Sequence, residues 1–144
     1  RMVEAARARL ARHAHARAMV ADAHDLPFPD ASFDVVVLFH TLTYAERPER
    51  VVAEAARVLR GGGKLVALSL DRHDHAAVTT PYGERHHGFS PQKLRGFLAR
   101  AGLEVHSCEV VCREPKKPHF EVVLAIGSPA GSSAHKTRKK PKAR

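Results

Sequence analysis

The chain has 144 residues, of which 44% are hydrophobic, so it is long enough for one domain with a buried core. It contains no run of roughly 18 apolar residues and no recognisable signal peptide, and its two cysteines are too few for a disulfide framework, so a cytoplasmic protein without a membrane segment is expected. The net charge is +9, but six cations and no acid follow Gly127, which leaves +3 for the first 127 residues and gives no reason to expect a nucleic-acid-binding fold.

The first 22 residues predict a helix followed by a short strand. Met2, Val3, Ala6 and Leu10 recur at helical spacing within residues 1–13, and no capping residue precedes them. We therefore expect the helix to have begun before residue 1. Either the polypeptide has been cut from a longer one, or the gene model is incomplete. Residues 16–21 (ARAMVA) then predict a strand that ends at Asp22.

Residues 33–70 predict a strand, a helix and a second strand. Residues 33–39 (FDVVVLF) are almost continuously apolar, which indicates a strand buried on both faces of a parallel sheet. Residues 48–60 show an amphipathic helical pattern that begins at a proline. Its predicted buried stripe is Val51, Val52, Ala55, Val58 and Leu59, and its predicted outer face is Glu49, Arg50, Glu54, Arg57 and Arg60. Three glycines (61–63) are predicted to stop this helix before a strand at 64–70, which completes a right-handed βαβ unit.

Residues 71–88 read as a loop with four histidines, namely His73, His75, His86 and His87. A zinc site built from these histidines is conceivable, but metal sites usually have firmer ligand spacing with a cysteine or an acid in register. A solvated loop or a lid over a substrate is therefore the preferred interpretation, and no metal ligand is predicted.

The remaining folded part predicts a helix and an antiparallel hairpin. Ser90 is a predicted N-cap for a helix at 90–101, which ends at a glycine. Residues 103–111 and 119–126 alternate as two strands joined by a turn. Cys108 and Cys112 would share a face if their strand is regular, and buried packing is preferred to a redox or metal role.

Residues 1–127 are thus the predicted domain, and residues 128–144 a disordered basic tail. Such a tail either contacts nucleic acid or another anionic surface weakly or has no selected role.

An ordered set of short motifs resembles the class I S-adenosylmethionine-dependent methyltransferases, in particular their small-molecule branch. The motifs are Asp22 followed by Leu26-Pro27-Phe28, then Ser32-Phe33-Asp34, then residues 57–65 (RVLRGGGKL). The resemblance extends from the first helix to about residue 126. It implies an α/β, Rossmann-like methyltransferase sheet, mostly parallel with a terminal antiparallel hairpin.

The resemblance also implies a cofactor, S-adenosylmethionine, and a set of cofactor-binding residues. Asp22 matches the position that accepts a hydrogen bond from the adenine amino group, and the N–H of Ala23 would face a ring nitrogen; ending a strand is the alternative role for Asp22. Phe39 matches a position that touches the cofactor, at the carboxyl end of a strand, where open α/β sheets bind ligands. His40, the fourth cofactor residue, would look toward the methyl group of the cofactor or toward the small-molecule acceptor. Tyr44 would face the acceptor, and both residues have a structural role as the alternative. No catalytic residue is assigned, since many members act by positioning the reactants.

The chain departs from the family pattern before Gly61, where it has no G-x-G element. In the family a glycine-rich loop and an acid after the second strand hold the rest of the cofactor. We therefore expect a sheet lacking the first two strands, and the autonomous activity of this chain is in doubt. The loss of those strands would leave 33–39 with an open edge, which predicts poor stability or self-association.

Three functions remain open from the sequence. The first is the carboxyl-terminal part of a small-molecule methyltransferase. The second is a methyltransferase-like sensor domain of a winged-helix transcriptional regulator, since residues 88–123, from GFSPQKL to HFEVV, resemble that group. The third is an inactive remnant that acts through its tail.

Overall fold

Four strands and four helices follow one another in residues 2–131, the part of the chain that the computed structural model describes. The helices are α1 (Met2–Leu10), α2 (Pro48–Val58), α3 (Ala76–Thr79), which continues into a 3₁₀ turn (Thr80–Tyr82), and α4 (Pro91–Arg100). The strands are β1 (Phe33–Phe39), β2 (Leu59–Leu70), β3 (Leu103–Arg113) and β4 (Glu121–Pro129). Within residues 2–131, every helix is too short or too polar to cross a bilayer.

The strands form a single mixed sheet in the order β1-β2-β4-β3. β1 and β2 are parallel and are joined through α2, whereas β4 pairs antiparallel with both β2 and β3. This arrangement confirms the predicted α/β class, with a parallel part followed by a terminal antiparallel hairpin. β1 is the edge strand, as predicted for residues 33–39.

β1 is buried on one face only, so the predicted burial of both faces is wrong. Leu38 is 8% exposed and packs in the core, whereas Val35, Val37 and Phe39 on the opposite face are 55%, 56% and 66% exposed. The core contains side chains from α2 and α4, such as Val52 and Leu94, and these cover the Leu38 face. In the described chain no comparable layer buries the other face. A continuous apolar run therefore does not distinguish one-sided from two-sided burial.

The glycines after α2 begin β2 rather than ending the helix. α2 stops at Val58, and Leu59 has extended backbone angles (φ −76°, ψ 138°) with a side chain that is only 4% exposed. Gly63 passes so close to β1 that a Cβ there would lie 2.8 Å from the Asp34 carbonyl oxygen. Gly63 therefore permits a close strand approach, whereas a Cβ at Gly61 or Gly62 would meet nothing within 4 Å, and the chain is already extended at the buried Leu59.

α4 matches its prediction closely. The Ser90 hydroxyl accepts a hydrogen bond from the Lys93 N–H at 3.3 Å, and a proline occupies the first turn. The side chains of Leu94, Phe97 and Leu98 are buried. The cap and the apolar stripe together fix both the start of the helix and its buried face.

The terminal hairpin extends further than predicted, and one of its strands is irregular. β4 continues to Pro129, which pairs with Leu103, so Ser128 and Pro129 belong to the sheet and not to a tail. Residues 130 and 131 of the predicted tail form a turn after β4, and residues 132–144 lie outside the described residues. The register shifts between Val110 and Cys112, and Cys108 is buried while Cys112 is exposed. The expected common face of the two cysteines is therefore wrong, because a bulge reverses the alternation.

Residues 16–21 do not form the predicted strand. They pair with no strand of the described sheet, and only an isolated bridge between Asp22 and Asp25 follows them. α1 has no buried residue, although the Arg7 side chain donates a hydrogen bond to the Ala18 carbonyl at 3.0 Å. An extended segment becomes a strand only when a neighbouring backbone satisfies its hydrogen bonds, and here none does.

Candidate functional site

Phe39 and His40 end β1 in a distinctive conformation. The Phe39 side chain is 66% exposed, and its ring meets the His40 ring edge-on, with 4.7 Å between centroids. His40 has a φ of +48°, which is rare for a residue with a Cβ. Its N–H donates to the Leu68 carbonyl at 2.9 Å, so the β-ladder holds the unusual backbone. Strained residues at the carboxyl end of a parallel strand are common at ligand sites.

Asp22 lies in an exposed turn with one carboxylate oxygen already engaged. Its Oδ1 accepts from the His24 N–H at 2.8 Å and lies 2.8 Å from His24 Nδ1, while the side chain is 67% exposed. These hydrogen bonds, the backbone one first, lower the pKa of Asp22. The carboxylate is therefore ionised near neutral pH, and Oδ2 has no hydrogen-bond partner within residues 2–131.

His24 connects the Asp22 turn to the start of α2, a role that the sequence analysis did not assign. Its Nε2 accepts from the Arg47 N–H at 3.2 Å, so the ring proton lies on Nδ1 and is donated to Asp22. The Arg50 side chain also donates to the His24 carbonyl at 3.2 Å. Because Arg47 lies on the segment that leaves β1, these bonds hold the Asp22 turn beside that segment. The signal in the sequence that could have indicated this role is the position of the histidine, two residues after Asp22.

A buried ion pair on α2 holds the loop that follows Asp22. The Glu54 side chain is 11% exposed, and its two oxygens accept from Nε and Nη2 of Arg57, each at 2.9 Å. Glu54 also accepts from the Leu26 N–H at 2.9 Å, and Arg57 donates to the carbonyls of Leu26 and Phe28 at 3.0 and 2.9 Å. The prediction that Glu54 and Arg57 face solvent is wrong, since both serve backbone groups of residues 26–28.

Ala23 and Phe28 of this loop pack in different places. Ala23 is partly buried against the core. Phe28 lies edge-on to Phe33, with 4.9 Å between ring centroids, at the amino end of β1. The cavity of about 890 Å³ beside these two rings is lined otherwise by residues 7–19, and it touches none of Asp22, Phe39 and His40. Size alone therefore does not locate the predicted site.

Residues 71–90 pack against the segment that follows β1. The N–H groups of Arg85 and His86 donate to the Thr43 carbonyl at 2.9 and 3.1 Å, and the His86 Nε2 lies 2.9 Å from the Ala45 carbonyl. Tyr44, between those two carbonyls, is 45% exposed. Residues 71–90, which we call the cover segment, are therefore anchored beside the end of β1 and contain two short helical turns, while more than half of these residues stay exposed to solvent.

The four histidines of this cover do not converge on one point. His73 is 7% exposed, accepts from the His75 N–H through Nδ1 at 3.2 Å, and directs Nε2 toward Glu84 Oε2 at 3.8 Å. Burial, the largest effect, lowers the pKa of His73. The ring is therefore neutral near pH 7 and carries its proton on Nε2, which has no acceptor in the described structure. His86 turns instead to Ala45, and residues 2–131 contain no group of three side chains placed to bind a metal ion.

The four predicted cofactor residues thus lie on two segments that His24 and Arg47 connect. Asp22 and Ala23 occupy the turn before residue 24, and Phe39 and His40 end β1 seven or eight residues before Arg47. The arrangement offers a carboxylate oxygen on a turn that His24 ties to Arg47, and an exposed aromatic ring with a constrained histidine at the carboxyl end of β1. Such a set can accept hydrogen bonds from a polar heterocycle and cover one of its faces.

Comparison with known proteins gives consistent matches. A family model described as a methyltransferase domain matches residues 1–67. The chain is 53% identical over 104 residues to the 27-O-demethylrifamycin SV methyltransferase of Amycolatopsis mediterranei, covering 63% of this chain and 36% of that protein. It is 35% identical over 75 residues to the ubiquinone/menaquinone biosynthesis C-methyltransferase of Azotobacter vinelandii, covering 52% of this chain and 30% of that protein.

A solved structure agrees with these matches. A Thermotoga maritima S-adenosylmethionine-dependent methyltransferase, described as a possible histamine N-methyltransferase, superposes with a TM-score of 0.65 and 26% identity. The superposition covers 84% of this chain and 67% of that one. The chain spans roughly a quarter to a third of the length of the first curated relatives that it matches.

Proposed function

Because the chain belongs to the class I S-adenosylmethionine-dependent methyltransferases, we propose that it serves methyl transfer from S-adenosylmethionine to a small-molecule acceptor. One observation carries the assignment of the site. The Asp22 carboxylate is ionised, positioned by His24, and tied to the segment that leaves β1, where Phe39 and His40 lie. A fixed hydrogen-bond acceptor beside an exposed aromatic ring suits the adenine part of the cofactor.

In this proposal three of the predicted residues contact the cofactor, and the fourth, His40, directs the chain at the same edge. Oδ2 of Asp22 accepts from the adenine amino group, because Oδ1 is already occupied by His24. The N–H of Ala23 donates to a ring nitrogen, and Phe39 covers the ligand at the end of β1. The +48° φ of His40 turns the chain at the same edge, so that residues 41–45 lead away toward the acceptor.

Positioning is the contribution of the protein to the reaction. A cofactor held at this edge would supply a methyl group on a positively charged sulfur, the starting point for an in-line displacement by the acceptor atom. Holding the two reactants in line accounts for much of the acceleration of such a displacement. His40 and Tyr44 would orient the acceptor, and we assign no general base.

The names of two relatives support a small-molecule acceptor. One is named for methylation of 27-O-demethylrifamycin SV, and the other for a C-methylation in ubiquinone and menaquinone biosynthesis. The identity of 53% with the first covers most of the folded part of this chain. The acceptor proposed here is accordingly an organic small molecule and not a protein or a nucleic acid.

Calorimetric titration with S-adenosylhomocysteine tests the cofactor proposal. We expect the Asp22→Asn variant to bind at least about tenfold more weakly, since hydrogen bonds to charged groups contribute about 1.5–3 kcal/mol. Asparagine can keep the bond to the His24 N–H but presents an amino group where Oδ2 stood. The matched control is Asp25→Asn, an exposed carboxylate in the same turn. Unchanged affinity in Asp22→Asn, or no heat with the unaltered protein, would refute the assignment.

We also propose that the chain self-associates through β1. Its outer backbone edge has no partner strand within residues 2–131, and Val35, Val37 and Phe39 form an exposed apolar row. Unpaired edges next to apolar side chains recruit other strands. Sedimentation velocity of Val37→Lys should show less association than the unaltered chain, whereas Ala53→Lys on exposed α2 surface should not. A monomeric unaltered chain would contradict this proposal.

A further inference from the structure

A cavity rich in basic side chains lies between the cover segment and the start of α4. Its volume is about 380 Å³. Three of its lining residues carry a permanent positive charge, namely Arg72, Arg85 and Lys93. Histidines 73, 86 and 87 line it as well, and Asp74 is the acid among the lining residues. The local charge balance is therefore positive even when every histidine is neutral.

The charges of this cavity are not compensated by the protein. Elsewhere in the described chain some arginines form ion pairs with carboxylates, such as Arg57 with Glu54 and Arg60 with Asp34. The side chains of Arg72, Arg85 and Lys93 have no carboxylate within 4.0 Å among residues 2–131. Like charges gathered around a concavity create a positive potential that attracts anions.

The backbone adds to this potential. Ser90 and Lys93 line the cavity and belong to the capped first turn of α4, a helix of 10 residues whose amino end carries a partial positive charge. In this turn the Lys93 N–H bonds to the Ser90 hydroxyl and the Leu94 N–H to the Ser90 carbonyl, so the helix contributes the partial charge of its end rather than a set of free N–H groups. Arginine side chains and a helix start are the groups that proteins use most often to hold phosphate and carboxylate groups.

The cavity is adjacent to the segment that faces the acceptor. Arg85 and His86, in its wall, bond through their N–H groups to the Thr43 carbonyl, three residues after His40. Phe89 bonds in the same way to the Leu70 carbonyl at the end of β2. The basic groups therefore lie beyond the carboxyl ends of both parallel strands, next to the proposed cofactor edge.

We propose that this cavity binds an anionic group, a carboxylate or a phosphate, and that the methyl acceptor carries this group. Anion binding stands on the cavity and its charges alone. The assignment of the anion to the acceptor rests on the proposed methyl transfer. Arg72 and Arg85 are the specificity-determining residues, and an uncharged acceptor analogue loses their contribution.

Nuclear magnetic resonance titrations of the 144-residue chain test the proposal. Sodium phosphate and sodium acetate are added in separate arms, with sodium chloride at equal ionic strength as the reference. We expect the amide signals of Arg72 and of residues 88–93 to shift with phosphate or acetate and not with chloride, and the stronger arm identifies the preferred anion. In the Arg72→Gln/Arg85→Gln double variant, the affinity for that anion should fall at least about tenfold.

Arg95→Gln is the matched control, because Arg95 is exposed on α4, the helix that begins at the cavity, but does not line the cavity. The proposal would be overturned if the double variant bound the anion as tightly as the unaltered chain, or if phosphate and acetate caused the same amide shifts as chloride. S-adenosylhomocysteine is titrated afterwards into the same samples. Localised anion shifts without binding of that ligand would support the anion site and count against methyl transfer, and the opposite result would count against the anion site alone.

Discussion

Replacing Gly88 with alanine is expected to lower the free energy of unfolding by about 3 kcal/mol, because two costs combine at this position. Gly88 has a φ of +74°, which disfavours any residue with a Cβ. A Cβ there would also lie 2.0 Å from the carbonyl oxygen of Asp71, a backbone atom that cannot rotate away. Urea denaturation followed by circular dichroism measures the loss.

The close approach at Gly88 matters because it joins the two ends of the cover segment. His73 donates its N–H to the His87 carbonyl at 3.1 Å, and Phe89 donates to the Leu70 carbonyl at 2.9 Å. Gly83 provides the matched control, since its φ of +86° is similar but a Cβ there would meet nothing within 4 Å. Gly83→Ala should therefore cost only about 1 kcal/mol. Equal losses in the two variants would show that backbone strain, and not the contact with Asp71, is the cause.

Replacing Glu54 with alanine is expected to cost about 3 kcal/mol, since removal of one partner leaves buried polar groups without acceptors. The variant would strip two hydrogen bonds from Arg57 and one from the Leu26 N–H. Glu49→Ala, at an exposed position on the same helix, should change stability by less than about 0.5 kcal/mol. A loss at Glu54 as small as that at Glu49 would contradict the structural role of the ion pair.

The contribution of Glu54 to the free energy of unfolding also has a predictable pH dependence. The hydrogen bonds from Arg57, the largest effect, lower the pKa of Glu54 in the folded protein. The unfolded chain therefore binds its proton at a higher pH than the folded chain, and stability rises with pH in that interval. The contribution is complete above the usual glutamate pKa of about 4.3 and is lost as the pH falls below it. The stability difference between the unaltered protein and Glu54→Ala should shrink accordingly on acidification.

The Glu54 result also bears on the proposed site. The same ion pair positions the backbone of residues 26–28, which directly follows the Asp22 turn. A loop that is anchored to α2 presents a fixed acceptor to its ligand, whereas a free loop would have to be ordered on binding. Weaker binding of S-adenosylhomocysteine to Glu54→Ala would therefore reflect lost positioning, since Glu54 itself does not face the proposed ligand.

The sequence alone determined the elements whose signals are local. The Ser90 cap, the proline in the next position and the spacing of three apolar residues define α4 within about ten consecutive residues. The βαβ order and the terminal hairpin follow from the same kind of pattern, and the ordered short motifs at residues 22–28, 32–34 and 57–65 were sufficient to indicate the family.

The tertiary structure decided everything that depends on distant neighbours. Glu54 was expected to face solvent, but it accepts from the Leu26 N–H, 28 positions earlier, and from Arg57, which in turn bonds to the Phe28 carbonyl. His24 gained its role from Arg47, and β1 was exposed on one face because burial of a sheet depends on what packs against it. The basic cavity likewise arises only where the cover segment meets α4. Hydrogen-bond partners and cavities are properties of chain segments brought together in space, and no periodicity within one segment encodes them.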